Sequence, residues 1–230
     1  MTTQKRTWMQ ELFFPRRCVY CNRVIGFSAL LACEICLTQV EKIKRLQGLS
    51  IQKCGRELQF VSAAYAPFYY ESPVKNTILR MKFGEFSNGL SNFGNCMINT
   101  WNAQKAEEQA PIDFIIAVPA TPKERKGRHR NVSQILAQML SEQMQIPLSD
   151  ALYKQRETKH QMALTGAVRR QNVKDAFAVA AVQTETVHGR AVLLIDDVLT
   201  TGSTVNECAK ALCEAGVATC FVLVVAVTRG

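Results

Sequence analysis

After about residue 57, short apolar runs alternate with segments whose apolar residues recur at helical spacing. Strands are predicted at residues 60–70, 112–120, 190–197 and 219–229, and helices at 72–85, 132–144 and 204–216. The first of these helices has Ser72 as a candidate N-cap and Pro73 in its first turn. The stretch from Trp101 to Gln109 is expected to end a further helix. Apolar strands separated by helices favour an α/β fold with a mostly parallel sheet that helices cover on both faces.

The first 56 residues have a different pattern, because four of the nine cysteines form two Cys-x2-Cys pairs there. The pairs are Cys18/Cys21 and Cys33/Cys36, with eleven residues between them. The second pair leads into a segment where Leu37, Val40, Ile43 and Leu46 follow helical spacing. The chain is therefore expected to divide into a small module at residues 1–56 and an α/β domain at residues 57–230.

Paired cysteines at this spacing are typical of a structural zinc site with four thiolate ligands. Asn22, directly after the first pair, suits the left-handed backbone that often completes a metal-binding turn. The spacing predicts one pair on a turn and the other at the start of a helix. The alternative is that all four are reduced cysteines of a core. Cys208, Cys213 and Cys220 fall on predicted helix and strand faces and are expected in the core.

Charge adds a preference for anionic partners. The chain has 28 Lys and Arg against 19 Asp and Glu, a net charge of +9, and residues 1–56 hold ten basic and three acidic residues of these totals. Such asymmetry suggests nucleic acid or a phosphorylated ligand, and a solvated basic surface remains the alternative. The longest apolar run, Cys220 to Val227, is far too short to span a membrane. No segment resembles a secretory signal, so the cytoplasm is the expected location.

The segment AVLLIDDVLTTGST carries the most specific chemistry. Val192 to Ile195 predict a buried strand that ends in two carboxylates, Asp196 and Asp197, before a Gly-containing loop that opens a helix. Ligands of open α/β sheets bind beyond the carboxyl ends of the strands. Backbone N–H groups and hydroxyls at a helix N-terminus suit a phosphate, and carboxylates accept hydrogen bonds from ribose hydroxyls. A sugar that carries a phosphate would satisfy both parts of this segment.

Residues Val192 to Thr204 resemble the signature of type I phosphoribosyltransferases for phosphoribosyl pyrophosphate (PRPP). Further motifs extend the likeness over nearly the whole chain. These motifs are the paired cysteines, Val118-Pro119, Arg130, Gln134, Arg156, Thr158, Gln161, Leu164, Arg169, Asn172 and Ala176-Phe177. With these motifs the chain resembles the ComF family of competence proteins. That family combines a zinc-finger-like N-terminus with a phosphoribosyltransferase domain and is linked to DNA uptake in transformation.

The resemblance implies roles for individual residues. Asp196 and Asp197 would be the catalytic pair, facing the ribose 2′ and 3′ hydroxyls. The residues implied to bind the rest of PRPP are Thr200, Thr201, Gly202, Ser203 and Thr204 at the 5′-phosphate, Pro119, Ala120 and Thr121 in the pyrophosphate loop, and Arg125 and Arg130 in the basic segment that follows it. For any single cation of that segment, a solvated loop is the alternative.

Two departures from the family pattern affect these roles. Residues 130–134 read Arg-Asn-Val-Ser-Gln where the family often has Arg-Gly-Phe-Asn-Gln, which leaves the role of this turn open. A third cysteine pair common in the family is reduced to Cys54, because Ile51 occupies the other place. The expected zinc ligands are therefore the four paired cysteines, with Cys54 a structural or spare thiol.

The leading hypothesis is a ComF-like protein that binds PRPP with Mg²⁺, holds a structural Zn²⁺ and takes part in DNA uptake. Its expected partners are PRPP, single-stranded DNA and other uptake proteins, and phosphoribosyl transfer is its expected reaction class. One alternative is a metabolic phosphoribosyltransferase with a nucleobase or amine acceptor. Another is a regulatory protein that senses PRPP without turning it over.

Overall fold

The computed structural model describes residue 13 and residues 15–26, 31–50, 58–84, 89–104, 111–120, 131–156 and 171–229, with the side chains of residues 45–50 left out. Its strands are β1 (Lys44–Ser50), β2 (Ala63–Tyr69), β3 (Phe114–Ala117), β4 (Leu148–Ser149), β5 (Leu152–Lys154), β6 (Phe177–Val179), β7 (Ala191–Leu199) and β8 (Thr219–Val227). Its α-helices are α1 (Glu34–Ile43), α2 (Val74–Lys82), α3 (Gly89–Ala103), α4 (Val132–Met144), α5 (Thr184–Val187) and α6 (Ser203–Glu214).

Six of these strands form one sheet in the order β1-β2-β8-β7-β3-β4. All neighbours in it are parallel except β1, which runs antiparallel to β2 at one edge. Strands β5 and β6 form a separate antiparallel hairpin. The sequence prediction of a mostly parallel sheet flanked by helices is therefore confirmed.

Helices cover both faces of the sheet, and each face has its own apolar core. Successive side chains of a strand point to opposite faces, so Leu193 and Ile195 of β7 join one core while Val192 and Leu194 join the other. Helices α1 to α4 pack in the first core, and α6 packs with the β5–β6 hairpin in the second. The four consecutive apolar residues of β7 are fully buried, as the sequence predicted.

Most predicted elements are present with shifted ends. Helix α4 has the predicted bounds, whereas β3 is shorter at both ends and α6 begins and ends earlier than predicted. Strand β7 was expected to end at Asp197 but continues to Leu199, because β8 pairs with it as far as the Leu199–Val227 pair. Asp196 and Asp197 therefore lie within the paired part of β7, near its carboxyl end, rather than beyond the strand.

Three local predictions were wrong. Ser72 does not cap α2, because Pro73 occupies the N-cap position and the helix starts at Val74. Leu46 is not helical, because α1 ends at Ile43 and the chain enters β1 to pair with β2. Cys213 is exposed, since it lies on the outer side of α6, while Cys208 and Cys220 are buried as predicted.

The described part of residues 1–56 packs against the sheet domain. Strand β1 forms the sheet edge next to β2, and Cys36, Val40 and Ile43 of α1 lie in the same core as Phe68 and residues of α2. Cys54 lies outside the described residues. Within the part of the chain that the structure describes, no helix is long and apolar enough to cross a membrane.

Candidate functional site

Strands β7 and β3 are neighbours in the sheet, and the chain continues from each of them in the opposite direction across the sheet. Strand β3 leads through α4 to β4 on one side, and β7 leads through α6 to β8 on the other. Helices α4 and α6 pack on opposite faces, so a crevice opens between them at the carboxyl ends of the two strands. The acidic residues of β7 lie at this position.

Each carboxylate of the acidic pair is held by a residue from a different helix. Ser133, in the first turn of α4, donates a hydrogen bond from Oγ to Oδ1 of Asp196 at 2.7 Å. The same oxygen accepts the backbone N–H of Asp197 at 2.8 Å. Lys82, the last residue of α2, places Nζ 2.6 Å from Oδ2 of Asp197, whose side chain is 10% exposed. Neighbouring strands and helices therefore fix the orientation of both carboxylates.

Burial and like charge favour the protonated form of Asp196. The pKa of Asp196 is raised to about 7 by burial and by the neighbouring charge of Asp197, while the Ser133 hydrogen bond and the charge of Lys82 oppose the rise. Burial alone would lower the pKa of Lys82, but the charge of Asp197 outweighs it and the pKa is raised. Near neutral pH the site thus combines one firmly ion-paired carboxylate with one close to its titration midpoint.

The loop that follows the acidic pair turns sharply into α6. Gly202 has φ +82° and is the N-cap residue, a conformation that residues with a Cβ adopt only with strain. Oγ1 of Thr201 and Oγ of Ser203 lie 2.9 Å apart, and Thr228 donates from Oγ1 to the carbonyl of Thr200 at 3.4 Å. Hydroxyls and the first N–H groups of a twelve-residue helix therefore gather at one end of the crevice.

Replacing Gly202 with alanine should destabilise the fold more than the same change at Gly189. Both residues have positive φ, but a Cβ at Gly202 would lie 2.6 Å from Cδ2 of Leu58, whereas a Cβ at Gly189 meets nothing within 4 Å. We expect the free energy of unfolding to fall by about 1 kcal/mol in Gly189→Ala, and by a larger amount, up to about 3 kcal/mol, in Gly202→Ala. Urea denaturation of both variants measures the difference. Equal losses would mean that Leu58 moves away without cost.

Residues after β3 border the same crevice. Val118 donates its N–H to the carbonyl of Ile195 at 2.9 Å, so Pro119 and Ala120 leave the sheet beside the acidic pair. Asn131 caps α4 by accepting the N–H of Gln134 at 3.2 Å. Its amide also donates to the carbonyl of Val118 at 3.4 Å, which ties the start of α4 to the end of β3. The other predicted ligand residues of this region, Thr121, Arg125 and Arg130, lie outside the described residues.

The four paired cysteines come together in a second site. Their Sγ atoms all lie within 4.8 Å of one another, and those of Cys21 and Cys33 are 3.7 Å apart. The first pair lies on a turn where Asn22 has φ 62°, and Cys33 is the N-cap residue of α1, so the predicted turn and helix start are confirmed. A tetrahedral zinc site with Zn–S bonds of about 2.3 Å has S–S edges of about 3.8 Å. The donor set and its spacing are therefore compatible with zinc.

The protonation equilibria of the cluster agree with a site for a cation. Burial alone would raise the pKa of Cys18, but backbone N–H groups around it outweigh burial and lower the pKa to about 7. Burial and the neighbouring thiols raise the pKa of Cys36. Four packed sulfurs cannot all ionise without a positive charge among them, and a divalent ion with thiolate preference supplies it.

Tyr20 joins the cysteine turn to the helices beneath the sheet. Its carbonyl accepts hydrogen bonds from Oγ1 of Thr77 at 2.9 Å and from the guanidinium of Arg80, both in α2. Its hydroxyl accepts the amide of Asn92 in α3 at 2.8 Å, and burial raises the pKa of the phenol. The helix that carries Lys82 is therefore anchored to the turn between two of the cysteines.

Sequence reasoning missed three residues that organise the acidic pair. Asn131 could have been found, because an asparagine directly before a helical segment is a typical N-cap. Ser133 and Lys82 carry no such signal, since only the packing of α4 and α2 brings them to β7. Of the residues expected from sequence, the structure brings together Asp196, Asp197, the Thr200 to Thr204 loop and the Pro119 turn at one crevice.

Comparison with known structures finds phosphoribosyltransferase folds. Glutamine PRPP amidotransferase from B. subtilis is 22% identical, with a TM-score of 0.37 over 58% of this chain and 25% of that chain. Orotate phosphoribosyltransferase from Aeropyrum pernix is 17% identical, with a TM-score of 0.36 over 77% of this chain and 90% of that chain. A family model for the phosphoribosyl transferase domain matches residues 131–230, which include the acidic pair and the loop after it.

Curated relatives cover nearly the whole chain. Competence protein F of Haemophilus influenzae is 28% identical over 221 residues, which are 89% of this chain and 94% of that protein. DNA utilization protein YhgH of Escherichia coli O157:H7 is 31% identical over 227 residues, which are 90% of this chain and 95% of that protein. Because it is 31% identical to a relative over nearly the whole length of both chains and is also similar to a competence protein F, the chain belongs to the ComF family.

Proposed function

We propose that this protein binds PRPP together with Mg²⁺ at the crevice between β3 and β7 and acts in the cytoplasm during DNA uptake. One observation is the main support for assigning this crevice to PRPP, the phosphoribosyl donor. The acidic pair of β7 lies at the topological switch point, directly before a hydroxyl-rich loop at the N-terminus of α6. Carboxylates and a helix N-terminus at adjacent positions match the two ends of a ribose 5-phosphate.

In this proposal Asp196 and Asp197 accept hydrogen bonds from the ribose 2′ and 3′ hydroxyls. The loop from Thr200 to Thr204 holds the 5′-phosphate through its N–H groups and hydroxyls. Pro119 and Ala120, beside the acidic pair, would face the diphosphate, and Thr121, Arg125 and Arg130, which follow in the sequence, are proposed to contact it. Mg²⁺, when bound with PRPP, supplies charge neutralisation for the diphosphate.

Such a site supports pentosyl transfer mainly by positioning. Two fixed carboxylates hold the sugar, and the basic segment after β3 stabilises the charge that develops on the departing diphosphate. Little acid or base catalysis is required of the protein in such a reaction. The reaction class is phosphoribosyl transfer to a nucleophile.

Calorimetric titration with PRPP and Mg²⁺ tests the donor assignment. The wild-type protein should bind PRPP, and the Asp196→Asn, Asp197→Asn double variant should not. Release of pyrophosphate in the presence of a nucleobase or amine would identify a metabolic enzyme. Tight binding without turnover would identify a PRPP sensor, and absence of binding by the wild type would overturn the proposal.

The cysteine cluster is proposed to hold one structural Zn²⁺ in the module at residues 1–56. Sγ spacing, the turn geometry and the thiolate donor set support this assignment. All four ligand positions are filled by protein sulfurs, which is typical of structural rather than catalytic zinc. The ion would hold the turn around Tyr20 and the start of α1 together.

The role in DNA uptake is proposed from the charge of residues 1–56 and from the names of the relatives. Residues 1–56 carry ten of the 28 basic residues and only three of the 19 acidic ones. Arg17 and Arg23 are exposed next to the first cysteine pair in the chain, and Lys42 is exposed in the last turn of α1. The relatives are called a competence protein and DNA utilization proteins. An exposed basic surface on a small module is suited to the phosphates of single-stranded DNA.

Neutralising this surface should weaken binding of single-stranded DNA and flatten its salt dependence. We expect the Arg23→Gln, Lys42→Gln double variant to reduce the slope of log K against log salt by about 1.4, because each phosphate contact contributes about 0.7. Lys174→Gln, an exposed lysine before β6, is the matched control and should leave the slope unchanged. Fluorescence anisotropy with a labelled oligonucleotide measures both. Wild-type binding that does not depend on salt would exclude the proposed role.

A further inference from the structure

Lys82 approaches the acidic pair from outside the segments that the family signature covers. It is the last residue of α2, more than a hundred residues before β7 in the chain. Its Nζ lies 2.6 Å from Oδ2 of Asp197, slightly closer than the distance of about 2.7–2.9 Å that is typical of a charge-assisted N–H···O hydrogen bond. The lysine side chain is 37% exposed, so its ammonium group lies at the wall of the crevice rather than beneath it.

The partner of Lys82 is a carboxylate with little access to water. Asp197 is 7% exposed as a residue, although it lies at the ligand-binding end of β7. A carboxylate in such a position is costly to ionise unless a cation or several donors compensate its charge. Lys82 is the cation that the described structure places on it.

Ser133 and Lys82 each orient one carboxylate of the acidic pair. The serine hydroxyl donates to Oδ1 of Asp196, and the lysine ammonium occupies Oδ2 of Asp197. Both donors come from helices on the same face of the sheet. One carboxylate is therefore held by a neutral donor and the other by a cation, which lies in direct contact with the second only.

We propose that Lys82 is a positioning residue of the donor site, which holds Oδ2 of Asp197 and thereby directs its Oδ1 oxygen to the vicinal hydroxyls of a sugar phosphate. This inference rests on the proposed function. It deepens that function by adding a residue that sequence motifs do not mark and by assigning unequal roles to the two carboxylates. Asp197 has one oxygen held by a cation, whereas Asp196 becomes a full acceptor only when it loses its proton.

The groups that face the acidic pair come from four elements. They are Lys82 on α2, Tyr70 after β2, Ser133 on α4 and Cys208 on α6. Tyr70 and Cys208 both have raised pKa values because of burial, so they remain neutral at physiological pH. Among these described groups Lys82 is the positive one, so removing its charge should raise the pKa of Asp196.

Three substitutions separate charge from shape at this position. Lys82→Met keeps the length of the side chain and removes the charge, Lys82→Gln keeps a neutral donor, and Lys82→Arg keeps the charge. Lys75→Met, on an exposed position of the same helix, is the matched control. Thermal unfolding of each variant checks that the fold is retained.

The first measurement is the titration of the aspartate carboxyl carbons by NMR in the full chain without donor. In Lys82→Met and Lys82→Gln the midpoint of Asp196 should move to higher pH, because the charge of Lys82 opposes the rise that burial causes in the wild type. Lys82→Arg and Lys75→Met should titrate like the wild type. Midpoints in Lys82→Met and Lys82→Gln that match the wild type would overturn the inference.

The second measurement is PRPP affinity between about pH 6 and 9. The two neutral variants should bind PRPP about tenfold or more weakly at neutral pH and should recover affinity as pH rises through the higher midpoint. Lys82→Arg should keep most of the affinity. A uniform loss in all three variants without a change in pH profile would indicate a steric role and overturn the inference. Absence of PRPP binding by the wild type would instead overturn the proposed function, while the carboxyl titrations would still report the effect of Lys82.

Discussion

The Asp196→Asn, Asp197→Asn double variant is expected to lose PRPP binding by at least about a hundredfold. Each carboxylate would contribute a charge-assisted hydrogen bond to a ribose hydroxyl, worth about 1.5–3 kcal/mol, and about 1.4 kcal/mol corresponds to a tenfold change in affinity. Calorimetry with Mg²⁺ measures the loss. Asp150→Asn is the matched control, because this exposed carboxylate follows β4 at the same end of the sheet.

The same substitution at Asp196 alone should increase stability at alkaline pH. The folded-state pKa of Asp196 is about 7, above its ordinary value of 3.8. The contribution of Asp196 to the free energy of unfolding is therefore fully present below about pH 4 and is lost as pH rises through 7. Asp196→Asn removes this loss, so its free energy of unfolding should exceed that of the wild type at pH values above the folded-state pKa. Urea denaturation as a function of pH measures the difference, and identical pH profiles would contradict the raised pKa.

A gain in stability together with a loss of binding would mark the acidic pair as a functional site. Structural ion pairs behave in the opposite way, because breaking them destabilises the fold. Asp197→Asn alone is expected to destabilise the fold, since it leaves Lys82 without its carboxylate partner. The two single variants should therefore differ in the sign of their effect on stability.

Removal of zinc is expected to have the largest effect on stability. Cys33→Ser should reduce the metal content from about one zinc per chain to near zero and lower the free energy of unfolding by about 4 kcal/mol or more. The reason is that Cys18 and Cys36 lie in the same apolar core as helices α2 and α3, so opening the cluster exposes that core. Metal analysis and thermal unfolding measure the two effects.

Cys213→Ser is the matched control, because Cys213 is exposed on α6 and lies outside the cluster. It should leave both metal content and stability unchanged. Limited proteolysis of Cys33→Ser should cut first around the cysteine turn and α1, while the strands of the central sheet resist. Full metal content in Cys33→Ser would refute the ligand set.

Local signals in the sequence determined much of the fold. The apolar runs of β7 and β8 are long enough to predict buried parallel strands, because both of their faces are covered. Helix α4 has a clear N-cap and strong periodicity, and its bounds were predicted without error. Strands β4, β5 and β6 were not predicted, because two or three residues are too few for a pattern. Strand β1 was not predicted either, because its mostly polar sequence KRLQGLS forms a strand by pairing with β2 at the sheet edge.

The same division holds for the two sites. Ligand groups that are close in sequence, such as Asp196 with its neighbouring loop or the two cysteine pairs, were identified from spacing alone. Their surroundings were not, because Ser133 and Lys82 reach the acidic pair only through the packing of α4 and α2. Ligand groups on residues that are close together in the chain can thus be identified from the sequence itself. The orientation and charge state of those residues were decided by the tertiary structure, since they depend on burial and on partners that are distant in the chain.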